Sequence, residues 1–86
     1  MTELILYMKP TCHLCHNAAA LLQTLQADFP FSVKEIDILQ DAAAYEKHWE
    51  YIPVVEVNGR IILSAPISEE SACKALLELQ REGVLG

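Results

Sequence analysis

Two cysteines separated by two residues carry the clearest chemical signal in the sequence. Cys12 and Cys15 enclose His13 and Leu14 and follow a short apolar segment. At the first turn of a helix, unpaired backbone N–H groups and the helix dipole favour an anion, so a thiolate at Cys12 would be stabilised there. Cys15, three residues on, lies on the same helical side and can attack a mixed disulfide formed at Cys12. The spacing predicts a dithiol–disulfide exchange pair.

Two side chains close to this pair in sequence add positive potential. Lys9 lies three residues before Cys12, and His13 lies beside it. Such surroundings bring the thiol pKa values of Cys-x-x-Cys pairs to roughly 3.5–7.5. Lys9 is the steadier contributor, since His13 helps only when it is protonated. We expect Cys12 to be the more exposed and more acidic thiol and Cys15 the more buried one. Two interpretations of His16 are equally open: it helps to stabilise the Cys12 thiolate, or it is simply exposed to water.

Three other interpretations of these residues are open. Residues 12–16 satisfy the Cys-x-x-Cys-His pattern of haem attachment, although no export signal is visible and the remaining chain is rich in strands. Two Cys and two His in five residues also suit zinc, with His48 and Cys73 as the only distant candidate ligands. The third is a pair of cysteines that share a turn by accident. We predict no metal site, and we expect Cys73 to fill the core.

The flanking segments predict the elements that hold the pair. Residues 4–8 are apolar on both faces, as in a strand buried within a covered sheet. The apolar residues from Leu14 to Leu25 fall on one face of a helix that starts near Cys12 and ends before Pro30. Residues 31–38 predict a second strand, parallel to the first because the crossover between them is helical.

A shorter helix is predicted over residues 40–50, with Asp41 near its N-terminus. Tyr45 and Trp49 are one turn apart, so we expect both to pack on the sheet. His48 would then point elsewhere and be exposed.

The second half of the chain contains a hairpin and a final helix. Asn58-Gly59 between two β-rich segments, residues 53–57 and 60–63, predicts antiparallel strands. Ser68 supplies an N-cap and Gly83 a left-handed C-cap for the last helix. The order βαβαββα predicts one α/β domain over the whole chain, with a four-stranded mixed sheet and helices on both faces.

Composition excludes several classes of protein. The 86 residues are 52% hydrophobic and 21% charged, which excludes a disordered chain. The net charge of −6 disfavours nucleic acids and anionic membranes. No apolar run approaches the roughly 18 residues that a membrane span needs. With three cysteines and no visible signal segment, we expect a cytoplasmic monomer with no nucleic-acid or membrane partner.

Several segments together form a more specific pattern. They are residues 4–8 leading through Lys9-Pro10-Thr11 into Cys12-His13-Leu14-Cys15, then Glu35-Ile36-Asp37-Ile38, Ile52-Pro53-Val54-Val55 and Asn58-Gly59. In these residues the chain resembles glutaredoxins of the thioredoxin superfamily, and more closely the short glutaredoxin-like proteins. The resemblance covers nearly the whole chain and implies a thioredoxin-like fold.

The resemblance also implies roles for individual residues. Cys12 would be the nucleophile, and Cys15 would resolve the mixed disulfide. Pro53 would be cis and pack beside the thiols, so that the backbone of Ile52 can pair with a substrate strand. The expected substrate-binding positions are Lys9, Thr11, His13, Ile52 and Pro53.

Two departures from glutaredoxins concern the substrate. His13-Leu14 replaces the usual Pro-Tyr between the cysteines, and Leu63-Ser64-Ala65-Pro66 replaces the Gly-Gly pair and acidic residue that hold glutathione. Lys9 matches the lysine that contacts glutathione in that family, and the Ile52 backbone offers a second contact. With only these two contacts, we expect glutathione to bind with a dissociation constant of about 1 mM, which is a binding free energy of about −4 kcal/mol.

The sequence therefore predicts a glutaredoxin-like thiol–disulfide oxidoreductase whose only redox group is the Cys12–Cys15 disulfide, without a further cofactor. The expected partners are a protein disulfide and a thioredoxin- or glutathione-type reductant. One alternative is a module that binds a metal or metal cluster through both cysteines. Another is an inactive domain that docks a partner along the Ile52–Pro53 edge.

Overall fold

The computed structural model describes residues 1–85. Its elements are β1 (Thr2–Met8), α1 (His13–Leu25), β2 (Phe31–Asp37), a 3-10 turn (Ile38–Gln40), α2 (Ala42–His48), β3 (Val54–Val57), β4 (Arg60–Ser64) and α3 (Glu69–Arg81). This order confirms the predicted βαβαββα arrangement. The 3-10 turn was not predicted, and it begins where the Asp37 carboxylate accepts the N–H of Leu39 at 2.9 Å.

The four strands form a mixed sheet in the order β2-β1-β3-β4. β1 pairs in parallel with β2 and antiparallel with β3, so it lies in the interior of the sheet. β3 and β4 form the predicted hairpin. At its turn, Asn58 and Gly59 have φ angles of 49° and 81°, which a two-residue type I′ turn requires.

Helices cover both faces of this sheet, as predicted. Leu4 and Leu6 of β1 are fully buried in a cluster with residues of α1 and α3. The helical members of this cluster are Ala18, Leu22, Leu25, Ala72, Leu76 and Leu79. Because side chains alternate along a strand, Tyr7 points to the opposite face, where α2 lies.

The predicted orientation of α2 is wrong. His48 is 4% exposed, whereas Tyr45 and Trp49 are 44% and 52% exposed. Ala44 and His48 are one turn apart and form the buried face of α2, so the residue after each is rotated about 100° away from it. The imidazole of His48 lies against the ring of Tyr7, with ring centroids 4.2 Å apart. This aromatic partner on the sheet explains why a histidine is buried here.

The Tyr7 hydroxyl donates a hydrogen bond to the Glu56 carboxylate on β3 at 3.2 Å. Burial raises the pKa of Tyr7 above its usual value of about 10, and the negative charges of Glu56 and Asp41 raise it further. The unfolded chain therefore releases this proton at a lower pH than the native protein. The free energy of unfolding should fall as pH rises from about 10 through the native pKa, by at most about 1.4 kcal/mol per pH unit.

We expect Tyr7→Phe to make this alkaline decline shallower. The measurement is urea denaturation of the oxidised protein at several pH values on either side of about 10, with slopes rather than absolute stabilities compared. Tyr51→Phe is the matched control, since Tyr51 is 56% exposed. An alkaline slope that Tyr7→Phe leaves unchanged would contradict the contribution assigned to Tyr7.

Thr2 and Val84 meet at the start of β1. Thr2 Oγ1 donates to the Val84 carbonyl at 2.6 Å, and Leu85 is 2% exposed. Gly83 has a φ of 78°, as predicted for the residue that ends α3, and the Ser68 hydroxyl caps its N-terminus. Among residues 1–85, no helix has the length and apolar composition needed to cross a membrane.

Candidate functional site

Cys12 lies where the chain leaves β1 and enters α1. It is the N-cap of α1, and its Sγ accepts the N–H of Cys15 at 3.1 Å. Its own N–H donates to the Lys9 carbonyl at 3.0 Å, which closes the turn after β1. The sulfur therefore occupies the helix N-terminus, where negative charge is favoured, as the sequence predicted.

Cys12 and Cys15 are joined by a disulfide. Their Cα atoms are 5.2 Å apart, within the usual range of about 4.4–6.8 Å for such bonds. Cys15 is 1% exposed and Cys12 is half-buried, which confirms the predicted order of exposure. An approaching sulfur therefore meets Cys12 first.

The charged residue nearest to Cys12 in sequence is Lys9. Lys9 is half-buried and His13 is exposed, and the first turn of α1 contains no acidic residue. Neither Lys9 nor His13 takes part in the salt bridges formed within residues 1–85. The charge of Lys9 is thus not neutralised by a salt bridge within these residues, although the chain as a whole carries −6.

His16 has a structural role that neither sequence interpretation included. Its Nε2 lies 2.7 Å from the Pro10 carbonyl. A carbonyl only accepts hydrogen bonds, so Nε2 must carry the proton that is donated. The imidazole ties α1 to the turn that contains Pro10, Thr11 and Cys12. Thr11 is exposed in this turn.

Pro53 is buried, and the Ile52–Pro53 peptide bond is cis, which confirms the predicted isomer. Tyr7 of β1 pairs with Val54 of the antiparallel strand β3. Pro53, the residue before Val54, therefore lies beside Met8 at the end of β1. Ile52 is half-buried. Within residues 1–85, its N–H and C=O form no hydrogen bond with another backbone group. They are therefore available to an added strand.

The structure thus brings all the predicted site residues to one end of the sheet. The turn after β1 and the first residues of α1 contain both cysteines and the expected binding residues Lys9, Thr11 and His13. The other two expected binding residues, Ile52 and Pro53, directly precede β3. Their roles in substrate binding stay predictions.

A comparison with known families is consistent with this geometry. The sequence model described as Glutaredoxin-like domain (DUF836) matches residues 3–77. The chain belongs to this glutaredoxin-like family. The matched range contains both cysteines, Pro53 and Asn58-Gly59, so the resemblance predicted from these residues is confirmed. Membership and the disulfide-forming pair support a redox-type role for the domain.

Solved structures share the fold of this glutaredoxin-like chain. The NMR structure of protein Ne2328 from Nitrosomonas europaea has a TM-score of 0.74 and 21% identity, and the match covers 87% of this chain and 91% of that one. The X-ray structure of protein XcR50 from X. campestris has a TM-score of 0.67 and 26% identity, with 93% and 96% covered. A malarial protein has a TM-score of 0.67 and 10% identity, with 91% and 96% covered.

Two features around the glutaredoxin-like site were not predicted. Leu14, expected on the buried face of α1, is 57% exposed, whereas the buried face consists of Cys15, Ala18, Leu22 and Leu25. The Ala65–Pro66 bond is also cis, and the Ala65 N–H donates to the Tyr51 carbonyl at 3.1 Å. This bond joins the loop before α3 to the segment before Pro53. No local signal distinguishes such a cis bond from other X-Pro bonds.

The ligands considered for a zinc site are not gathered. Within residues 1–85, no group of three or more His, Cys, Asp and Glu side chains is placed to hold a metal ion. His48 lies against Tyr7 beneath α2. Cys73 is half-buried and packs against the core, as expected for a residue that fills space.

Proposed function

We propose that this glutaredoxin-like protein is a thiol–disulfide oxidoreductase that exchanges disulfides with a partner protein. The observation that carries the proposal is the disulfide at the N-terminus of α1, which joins an accessible Cys12 to a buried Cys15. An exchange reaction needs one sulfur that meets the partner and a second that is held beside it. This arrangement supplies both.

The reaction begins with both cysteines reduced and Cys12 as the thiolate. Cys12 Sγ attacks one sulfur of the partner disulfide, which forms a mixed disulfide and releases the first partner thiolate. Cys15 Sγ then attacks Cys12 Sγ, which forms the Cys12–Cys15 disulfide and releases the second partner thiolate. Cys15 gives its thiol proton to one of the two released sulfurs, and the other sulfur takes a proton from the solvent. The partner gains two electrons and the protein loses two.

The residues around Cys12 lower the energy of the thiolate form. The Cys15 N–H is directed at Cys12 Sγ, and the helix N-terminus and the Lys9 charge act in the same sense. His16 is a positioning residue, since it holds the Pro10 carbonyl and thereby the turn that places Cys12. Backbone groups of Ile52 offer an extended partner segment a place to pair.

We infer that a protein dithiol, rather than glutathione, returns the oxidised pair to the reduced state. In the segment where glutaredoxins hold glutathione, Pro66 has no N–H, and the Ala65 N–H already donates to the Tyr51 carbonyl. The net charge of −6 also disfavours a tripeptide with two carboxylates. A protein dithiol does not depend on this segment, because its chain can pair with the Ile52 backbone instead.

Cys15→Ser should trap the partner on Cys12. Without the resolving thiol, the mixed disulfide has no intramolecular route to breakdown and accumulates. The reduced variant is mixed with a disulfide-containing protein, alkylated and analysed by intact mass under non-reducing conditions. We expect a single adduct on Cys12 that a protein dithiol removes faster than an equal concentration of glutathione thiol.

Cys73→Ser is the matched control, because it removes the one cysteine outside the pair and should form no lasting adduct. An adduct on Cys73, or none in Cys15→Ser, would contradict the assigned roles. Faster release by glutathione would instead contradict the inferred reductant and leave the exchange reaction in place.

A further inference from the structure

Three aromatic side chains next to the site are exposed. Tyr45, Trp49 and Tyr51 are 44%, 52% and 56% exposed, and they lie within residues 45–51 of the chain. We name these three side chains the aromatic face. They are half of the six Phe, Trp and Tyr residues in the chain. The rings of Tyr45 and Trp49 are nearly parallel, at 11°, with centroids 6.3 Å apart. Large aromatic rings gathered on a surface are typical of binding sites.

The segment around the aromatic face is strongly acidic. Residues 37–56 contain five acidic residues and one lysine, so this short stretch holds most of the net charge of −6. The acidic residues are Asp37, Asp41, Glu46, Glu50 and Glu56. None of them takes part in the salt bridges within residues 1–85. The negative potential of this region is thus left for a partner of opposite charge.

The aromatic face continues into the redox site. The Tyr51 N–H donates to the His48 carbonyl at 2.9 Å, and the Tyr51 carbonyl accepts the Ala65 N–H, so the segment is held on both sides. Tyr51 directly precedes Ile52 and Pro53. Trp49 and Pro53 are four residues apart, a span of at most roughly 14 Å. An extended chain engaged at Cys12 is therefore long enough to reach the aromatic face with its neighbouring residues.

We propose that the aromatic face binds an arginine-bearing segment of the partner protein whose disulfide is exchanged at Cys12. This inference rests on the proposed function. The planar guanidinium group stacks on the faces of Trp and Tyr rings. Its permanent charge complements the exposed carboxylates of Glu46 and Glu50, which directly follow Tyr45 and Trp49 in the chain. A lysine side chain supplies the same positive charge but stacks less well on aromatic rings. An acidic segment is repelled by the carboxylates. The substrates are accordingly proteins with arginines close to a disulfide.

Binding can be measured apart from redox chemistry, because Trp49 is the only tryptophan of the chain. The probes are cysteine-free Gly/Ser peptides of equal length that carry arginine, lysine or glutamate at the same positions. We expect a saturable change in Trp49 fluorescence with the arginine peptide, at least about tenfold tighter than with the glutamate peptide and weakened by salt. The variant Tyr45→Ala keeps Trp49 as the reporter and should weaken binding of the arginine peptide severalfold. If charge attraction alone caused binding, this variant would bind the arginine peptide as tightly as the parent.

Several outcomes would overturn the proposal. They are equal binding of the arginine and glutamate peptides, binding that Tyr45→Ala does not change, and no binding at all. A Trp49 fluorescence change that follows protein concentration without peptide would show that a second copy covers the aromatic face, and this too would overturn it. Leu77→Ala is the control for a general loss of exposed apolar surface, since Leu77 is 51% exposed on α3.

A kinetic test separates this proposal from the proposed function. The same peptides are made with a disulfide, and kcat/KM is measured for each with the intact protein. We expect the arginine peptide to be favoured at least about tenfold over the glutamate peptide, and Trp49→Ala to bring this ratio towards one. Leu77→Ala should keep the ratio. Equal rates for both peptides would refute the arginine preference alone, whereas no exchange with either would refute the oxidoreductase proposal.

Discussion

Cys12→Ser should reduce disulfide exchange to the uncatalysed rate. The half-buried Cys12 is the sulfur that a partner meets first, and a serine hydroxyl at the same N-cap cannot form a disulfide. We expect a loss of roughly a hundredfold or more, which corresponds to about 2.7 kcal/mol of transition-state stabilisation. The measurement is the initial rate of reduction of a protein disulfide by the pre-reduced variant.

The fold should survive this change, since serine is itself a favoured N-cap and its hydroxyl can accept the N–H that Cys12 Sγ now accepts. Circular dichroism therefore serves as the check on folding. Cys73→Ser removes a thiol from the same chain and should keep the exchange rate of the parent. If Cys12→Ser were as active as the parent, the oxidoreductase proposal itself would be wrong.

Leu76→Ala should destabilise the protein by about 2–5 kcal/mol. Leu76 is fully buried, and it belongs to the cluster in which α1 and α3 pack on the sheet. A domain of this length has a total stability of only roughly 4–13 kcal/mol, so this one cavity removes a large part of it. Thermal unfolding of the oxidised protein should show a Tm lower by about 10 °C or more.

Leu77→Ala provides an unusually close control. It makes the same chemical change one residue later in the same helix, so helix propensity changes equally in both variants. Leu77 is 51% exposed, and we expect its removal to alter stability by no more than about 0.5 kcal/mol. Similar losses in the two variants would mean that α3 does not pack through Leu76 as described.

The sequence predicted those parts of the fold that short-range rules determine. Asn58-Gly59 requires only its own backbone angles to form a hairpin turn, and Ser68 and Gly83 act on the helix next to them. The position of Cys12 is likewise local, because the end of an apolar strand and the start of an amphipathic helix bracket it. The fold class and the cysteine pair were predicted for these reasons.

The orientation of α2 was not predictable in this way. Hydrophobicity favours Trp49 over His48 for a buried position, but the sheet presents the Tyr7 ring and the Glu56 carboxylate on the side that α2 covers. Those residues come from strands distant in sequence, so their effect on α2 emerges only when the sheet is assembled. The hydrogen bond from His16 to the Pro10 carbonyl was missed because it depends on how the turn before α1 lies against the helix, which the spacing of His16 from Cys12 does not show.

The hydrogen bond between Thr2 and Val84 has a practical consequence for handling the molecule. It holds the two ends of the described chain together at the start of β1, whereas Cys12 follows the other end of that strand. At about 3.3 Å per residue, Thr2 and Met8 are separated by about 20 Å. A tether or fluorescent reporter attached to a side chain beside Thr2 or Val84 therefore leaves from the pole opposite the sulfur atoms. Immobilised on an electrode through such a tether, the protein would present Cys12 to the solution.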